Sequence, residues 1–318
     1  MSLDPVISLH SVSKCYGTQQ ALDHVSLEVP PGVVFALLGE NGAGKTSAIR
    51  IMLGLAPPDT GQVHVLGMDS TQQGLAIRRQ IGYVAERPSL DEWMTADEIG
   101  WFAAGFHDDN YLARYRTQID AFQVPRDRKL KQLSKGMRSK IALSLALANN
   151  PQLLILDEPT SGLDAIVRRE FLESMVELTS DGKTVFLSSH QIHEVERVAD
   201  MVAILRRGKL LACESLDTLK SQVTEITCTI DGASQSFEAP AGCLTCEARG
   251  KQHRLMMRAT EEDAVRTVAA LPRVQHVTAQ RPSLEDIFVA FMHATDPTTT
   301  AHAATATHAT SANEEVQA

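Results

Sequence analysis

Aromatic side chains are scarce: they make up 5% of the 318 residues, and only two are Trp. Long hydrophobic runs are missing too. A membrane helix needs roughly 18 consecutive apolar residues. The longest run here, around VVFALLG, is strand-sized, so the chain is expected to be soluble or to meet a membrane only by holding another protein. Cysteines are few and odd in number (Cys15, Cys213, Cys228, Cys243 and Cys246), and the opening MSLDPVISLH has neither the basic region nor the apolar stretch of a secretory leader. Both points argue against a disulfide framework and for a reducing compartment. Nor is there a basic excess. Thirty Lys and Arg face 39 Asp and Glu, and the formal net charge of −9 argues against a general nucleic-acid binder, though not against a local basic patch.

What is present is a 43% apolar content, ample for a packed core, arranged as short strands and helices. ISLHSV and ALDHVSLEV, between Ile7 and Val29, alternate as antiparallel strands do. VVFALLG, LLILDEP (153–159), TVFLSSH (184–190) and MVAIL (201–205) read as buried strands, and helical patterns separate them. This predicts an α/β fold with a mostly parallel sheet and an N-terminal antiparallel β subdomain. Residues 87 to about 150 carry helical spacing and predict an inserted helical lobe. Beyond residue 210, EITCTI, HRLMMRA and TEEDAVRTVAAL predict a small α+β appendage over 211–294. From Thr295 the chain is rich in Ala, Thr and His with no periodic apolar face, and is expected to be a disordered tail.

GENGAGKT, Gly39 to Thr46, fits G-x-x-x-x-G-K-[ST] and lies between a buried strand and the helix SAIRIMLGL. Glycines let successive backbone N–H groups converge on phosphate oxygens, and the helix adds its positive dipole end. Gly39, Asn41, Gly42, Ala43, Gly44, Lys45 and Thr46, with Ser47, are assigned to nucleotide. Lys45 would reach the β- and γ-phosphates, and the Thr46 hydroxyl would ligate Mg²⁺. LLILDE ends its strand in two acids. Asp157 is placed to hold Mg²⁺, and Glu158 to act as general base toward an attacking water. A strand-end acid pair in an ordinary turn is the plainer alternative, and the phosphate loop upstream weighs against it.

GENGAGKT, LSKGM, LLILDEPTSGLD and SSH, in this order over residues 6 to about 210, resemble the ATPase subunits of ATP-binding cassette (ABC) transporters. The resemblance implies a phosphate-loop NTPase fold with ATP and Mg²⁺ as cofactors, and two cassettes closing head to tail on two ATP. It implies that Ser134 and Gly136 of LSKGM contact the γ-phosphate of ATP held by the other protomer. An N-cap Ser would also occupy that position for local reasons. His190 matches the switch histidine, Asp164 the loop that communicates between the two sites, and Tyr16 the aromatic residue that stacks on adenine. Three positions depart from the family's commonest form: Lys135 replaces Gly, Met137 replaces Gln, and Glu86 stands where Gln usually ligates Mg²⁺. Glu86 can still offer oxygen to a hard cation. Lys135 could add charge near the triphosphate or face solvent.

By the same resemblance, a single cassette without a membrane span requires a homodimer or a related cassette, plus an integral membrane permease on a separate chain. Its place would be cytoplasmic, at the inner face of the cell membrane. Leu90, Trp93, Met94 and Trp101, close together at the start of the helical lobe, are candidate anchors for that permease, or else the lobe's own core. PSLEDIFVAFM (282–292) is similar to the ends of exporter cassettes. Cys243 and Cys246 have C-x-x-C spacing but no second ligand pair, which argues against a zinc or redox site. The competing reading is a non-transport cassette protein acting on the ribosome or DNA.

Overall fold

The computed structural model describes residues 4–231 and 239–294, so the stretch from Thr295 lies outside the described residues. The chain forms two compact units that divide between Asp217 and Thr218.

The first unit opens with β1 (Ile7–Tyr16) and β2 (Gln19–Val29), then β3 (Val34–Leu38) and α1 (Lys45–Met52). β4 (Thr60–Val65), β5 (Met68–Asp69), α2 (Ser70–Gln80) and β6 (Ile81–Val84) follow. β1 pairs antiparallel with both β2 and β4, giving a four-stranded sheet in the order β2-β1-β4-β5. The helical lobe comes next: α3 (Ala96–Ala104), α4 (Tyr111–Ala121) and α5 (Lys135–Ala148). The chain returns through β7 (Leu153–Asp157), α6 (Ala165–Ser180), β8 (Thr184–Ser189), α7 (Ile192–Val195), β9 (Met201–Arg206) and β10 (Lys209–Ser215).

A second sheet runs β10-β9-β3-β8-β7-β6 and is parallel except at β10. Every residue of β3, β7 and β8 is buried. Covered on both faces, these strands carry continuous apolar runs instead of alternation. Phe35 and Phe186 stack across β3 and β8, 5.5 Å between centroids. Parallel pairing brings the C-terminal ends of β3, β7 and β8 to one edge, where the sequence motifs begin.

In the lobe, Thr95 caps α3 with a full capping box to Glu98. The core is built on two buried tyrosines of α4. Tyr111 Oη donates to the Leu145 carbonyl at 2.8 Å and Tyr115 Oη to that of Ala96 at 2.6 Å. Arg116 grips Asp97 through two nitrogens at 2.7 and 2.6 Å, and this pairing holds the Asp97 carboxyl below its ordinary range. Gly100 is required by packing, because a Cβ there would lie 2.1 Å from the Tyr115 ring. Gly100→Ala is therefore expected to destabilise the lobe by about 1–3 kcal/mol, against the roughly 1 kcal/mol that Ala adds to helix propensity. Denaturant melts would register this, and a raised midpoint would refute it.

The four candidate anchors divide. Met94 is buried and Leu90 packs against the lobe core, whereas Trp93 and Trp101 are 63% and 68% exposed. Phe102 and Phe106, which the sequence did not single out, are exposed beside them in an edge-to-face pair.

After α8 (Leu216–Ser221), which straddles the division, the second unit comprises β11 (Thr224–Ile230), β12 (Cys243–Arg249), β13 (Gln252–Met257), α9 (Glu261–Ala269), β14 (Val274–Gln280) and α10 (Leu284–His293). Its antiparallel sheet has the order β12-β13-β11-β14. Ile226, Cys228, Leu255 and Met257 pack with Ala264 and Val268 of α9. Buried Glu225 accepts from both ends of the Arg254 guanidinium at 2.6 and 2.7 Å. All five cysteines are free, and burial pushes the Cys243 thiol up to about 11, against redox reactivity. No helix among the described residues is long and apolar enough to cross a membrane.

Candidate functional site

The turn between β3 and α1 opens onto a cleft of about 550 Å³. Tyr16, Asn41, Gly42, Gly44, Lys45, Thr46, Ser47, Glu86, Glu158 and His190 all line it, as do Gln19, Glu40 and Ser161. Gly39 and Gly44 are there for want of room, and Gly42, with open space around it, for its φ of 82°. Gly44, the residue before α1, has φ of 112°, and a Cβ on it would stand 2.2 Å from the Ala21 carbonyl oxygen. Gly39 is closed in by the Leu205 carbonyl, 2.6 Å from where its Cβ would be. Ala43 lies beneath the loop, its carbonyl accepting from the Gly208 N–H at 2.9 Å. The start of α1 has no acidic side chain in its first turn, so its N–H groups and dipole face the cleft uncompensated.

Lys45 is buried and folds back, its Nζ donating to the Gly39 carbonyl at 2.6 Å. The same nitrogen lies 3.0 Å from Glu158 Oε1, an ion pair without hydrogen-bond alignment; that buried oxygen has no hydrogen-bond partner. Glu158 Oε2 sits 2.7 Å from His190 Nδ1. A carboxylate accepts there, so the proton is on Nδ1 and Nε2 remains for another partner. Glu158 has φ of 48°, a left-handed conformation costly for a non-glycine and common where function holds the backbone. It is fixed by its N–H donating to Ser188 Oγ at 3.1 Å.

Asp157 is buried at the end of β7. Ser188 Oγ donates to its Oδ1 at 2.6 Å, and Thr46 Oγ1 approaches the same oxygen at 3.4 Å. Ser188 thus binds both acids of the pair, a role the sequence reading missed. Its signal was a Ser pair closing an otherwise apolar strand. Thr46, Asp157 and Glu86 supply hydroxyl and carboxylate oxygens, the donor set a hard divalent cation takes. Among the described residues no three His, Cys, Asp or Glu converge as a metal cage. The donors therefore suit Mg²⁺ that arrives with phosphate oxygens and water to complete its shell.

Tyr16, at the end of β1, exposes 45% of its surface, with the Lys14 ammonium 5.5 Å from its ring centroid. Ser134, Gly136 and Asp164 do not line this cleft. Ser134 caps α5, accepting from the Met137 N–H at 3.2 Å, and Gly136 is packed so tightly that a Cβ would meet Val167 at 3.0 Å. Asp164 caps α6, accepting from the N–H groups of Ile166 and Val167 at 3.1 and 3.0 Å. The loop between Glu158 and Asp164 is tied down by Thr160, whose hydroxyl donates to buried Glu194 at 2.6 Å.

A phosphate loop, a strand-end acid pair and a capped signature helix on one sheet define an ATP-binding cassette. The family model described as ABC transporter matches residues 22–161. The chain is 32% identical to the Nod factor export ATP-binding protein I of Sinorhizobium fredii over 306 residues, 90% of this chain and 85% of that protein. It is 35% identical to a bacitracin transport ATP-binding protein of Bacillus licheniformis, over 69% of this chain and 73% of that one. A solved structure of a dimeric ATP-binding cassette in a post-hydrolysis state with ADP and Pi is similar at a TM-score of 0.61 and 25% identity, covering 66% of this chain and 98% of that one. The chain belongs to the ABC transporter family, as an ATP-binding protein with the phosphate-loop NTPase fold.

Proposed function

We propose that this chain hydrolyses ATP as one of two cassettes that drive a separately encoded membrane permease, in an exporter. The observation that carries the catalytic half is the position of Glu158, gripped between Lys45 and His190 beside the phosphate loop. Backbone N–H groups of Gly39–Thr46 would bind the triphosphate, with Ser47 behind them and Tyr16 under the adenine. Thr46, Asp157 and Glu86 would hold Mg²⁺, which when bound neutralises charge developing on the phosphates. As the γ-phosphate draws the Lys45 ammonium away, the Glu158 carboxylate is released to accept a proton from water, still oriented by His190. Phosphoryl transfer demands little more than such positioning and charge.

The cleft of one chain lacks Ser134 and Gly136, so a second copy or a related cassette would complete it head to tail. The dimeric structure of a similar cassette supports this. Asp164, whose carboxylate is committed to capping α6, would act across the dimer through its loop backbone. Two relatives named for export and transport support the permease, and the exposed Trp93, Trp101, Phe102 and Phe106 are apolar anchors on the lobe that would meet it. Recovering the chain from detergent-solubilised host membranes, with and without ATP, tests this. A polytopic membrane protein in near-stoichiometric amount is expected. Recovery alone, or with ribosomes or DNA proteins, would leave the ATPase chemistry standing and sink the transport reading.

A further inference from the structure

Four acids are buried among the described residues. Asp157 and Glu158 are the strand-end pair, and Glu225 is gripped by Arg254. The fourth, Glu194, lines no part of the cleft. It sits on α7, which begins two residues after His190. Burying a carboxylate is costly unless partners compensate it, and a well-packed apolar side chain often serves stability as well. The partners of Glu194 share one origin. The Thr160 hydroxyl donates to its Oε2 at 2.6 Å, and Arg168 Nε lies 2.9 Å from Oε1, an ion pair without hydrogen-bond alignment. Exposed His193 stands farther off, at 3.9 Å. Arg168 also donates through Nη2 to the Leu163 carbonyl at 2.9 Å. Thr160, Leu163 and Arg168 all belong to the stretch that leaves Glu158 and enters α6.

These contacts close a ring. Glu158 Oε2 and His190 Nδ1 meet directly at 2.7 Å. Thr160 lies two residues beyond Glu158 and Glu194 four beyond His190, so the Thr160–Glu194 bond ties the same two segments a second time. One bond to an exposed imidazole fixes a distance but not an orientation, and a second tie fixes both. Glu158 needs that support. Its φ of 48° is a conformation that persists only where the surroundings over-determine it. Ser188 Oγ holds its N–H, and its carbonyl accepts from the Ser161 N–H at 3.2 Å, next to the residue that Glu194 pins.

We infer that Glu194 is a positioning residue for ATP hydrolysis. Through Thr160 it fastens the segment carrying Glu158 to the segment carrying His190, and so orients the base against its histidine without hydrogen-bonding to either. Arg168 extends the same tie to the Leu163 carbonyl, beside Asp164. The inference rests on the proposed roles of Glu158 and His190 in hydrolysis, and its test reads the two levels separately.

Thr160→Val removes the hydroxyl, keeps the shape and leaves Glu194 to Arg168. It should lower kcat roughly 10- to 100-fold, the cost of a catalytic group misplaced by about an ångström. KM for ATP should stay within about two-fold, since neither Thr160 nor Glu194 lines the cleft. Thr160→Ser restores the donor and should recover kcat to within about three-fold of the parent. Glu194→Met removes the acceptor from the other side at similar volume and should reproduce Thr160→Val. A role confined to stability would not move the His190 ring. In nucleotide-free protein labelled with ¹⁵N-histidine, with His190→Gln to assign the signal, the Nδ1 resonance should shift or broaden in Thr160→Val and Glu194→Met, and return in Thr160→Ser. An unchanged His190 signal in either variant overturns the inference, as does a loss of kcat that Thr160→Ser fails to recover. If Glu158→Gln leaves turnover at the parent level, the assignment of the base fails instead, and the His190 signal still decides whether Glu194 holds the two segments together.

Discussion

Glu158→Gln is expected to lower ATP turnover by about 10²–10⁴-fold, the worth of a positioned general base, while ATP binding survives. Gln keeps the shape of the side chain and its reach to His190, 2.7 Å away in the parent, but cannot accept the water's proton. The parent carboxylate also holds the Lys45 ammonium at 3.0 Å. Removing its charge frees Lys45 for the phosphates, so affinity should hold or rise. Phosphate release under saturating ATP and equilibrium binding of the same preparation separate the two effects. Turnover equal to the parent's would refute the assignment of Glu158 as base. Lost binding together with lost turnover would instead mean that the acid is needed to build the phosphate loop.

How much of this was legible in the sequence follows from what each part depends on. β3, β7 and β8 are buried on both faces, so their apolar runs were readable without knowing their neighbours. The phosphate loop was readable because binding a phosphate dictates the residue types and their spacing within eight consecutive residues. β12 (CLTCEAR) and β14 (VQHVTAQ) were not found, since as the outer strands of their sheet they are half-exposed and mix polar with apolar residues. α4 falls inside the helical lobe expected over 87 to about 150 but was not marked individually: its core face rests on Tyr111, Tyr115 and Ile119, and two of those three look polar in a sequence. Long-range pairings were the hardest. Nothing local says that Ser188 binds Asp157, which the register between β7 and β8 sets, or that Lys45 neutralises Glu158, which the packing of the start of α1 beside the end of β7 sets. Ser134 was ambiguous for a different reason. The sequence allowed a helix cap or a phosphate ligand, and the fold makes it a cap without removing it from a surface that a partner can reach.

That dual role makes Ser134→Asp the sharper test of a site built from two chains. Asp caps a helix as well as Ser does, so α5 and its bond from the Met137 N–H should persist and the melting midpoint should not move. Ser134 lies outside its own chain's cleft, so the affinity of the monomer for ATP should not move either. Turnover should nonetheless fall by about 10²–10³-fold or more, because a phosphate-facing hydroxyl has become a carboxylate repelling the partner's γ-phosphate. Mixing this variant with Glu158→Gln should restore activity that neither has alone. In a mixed dimer the intact cleft of the Ser134→Asp chain faces the intact signature of the Glu158→Gln chain, and one complete site results. Native mass spectrometry would count the mixed dimers while phosphate release is followed. If mixed dimers form and stay silent, or if Ser134→Asp weakens binding in its own monomer, Ser134 does not serve a partner's nucleotide. Recovery in proportion to the mixed dimer would place hydrolysis at the junction of two cassettes, which a single chain cannot complete.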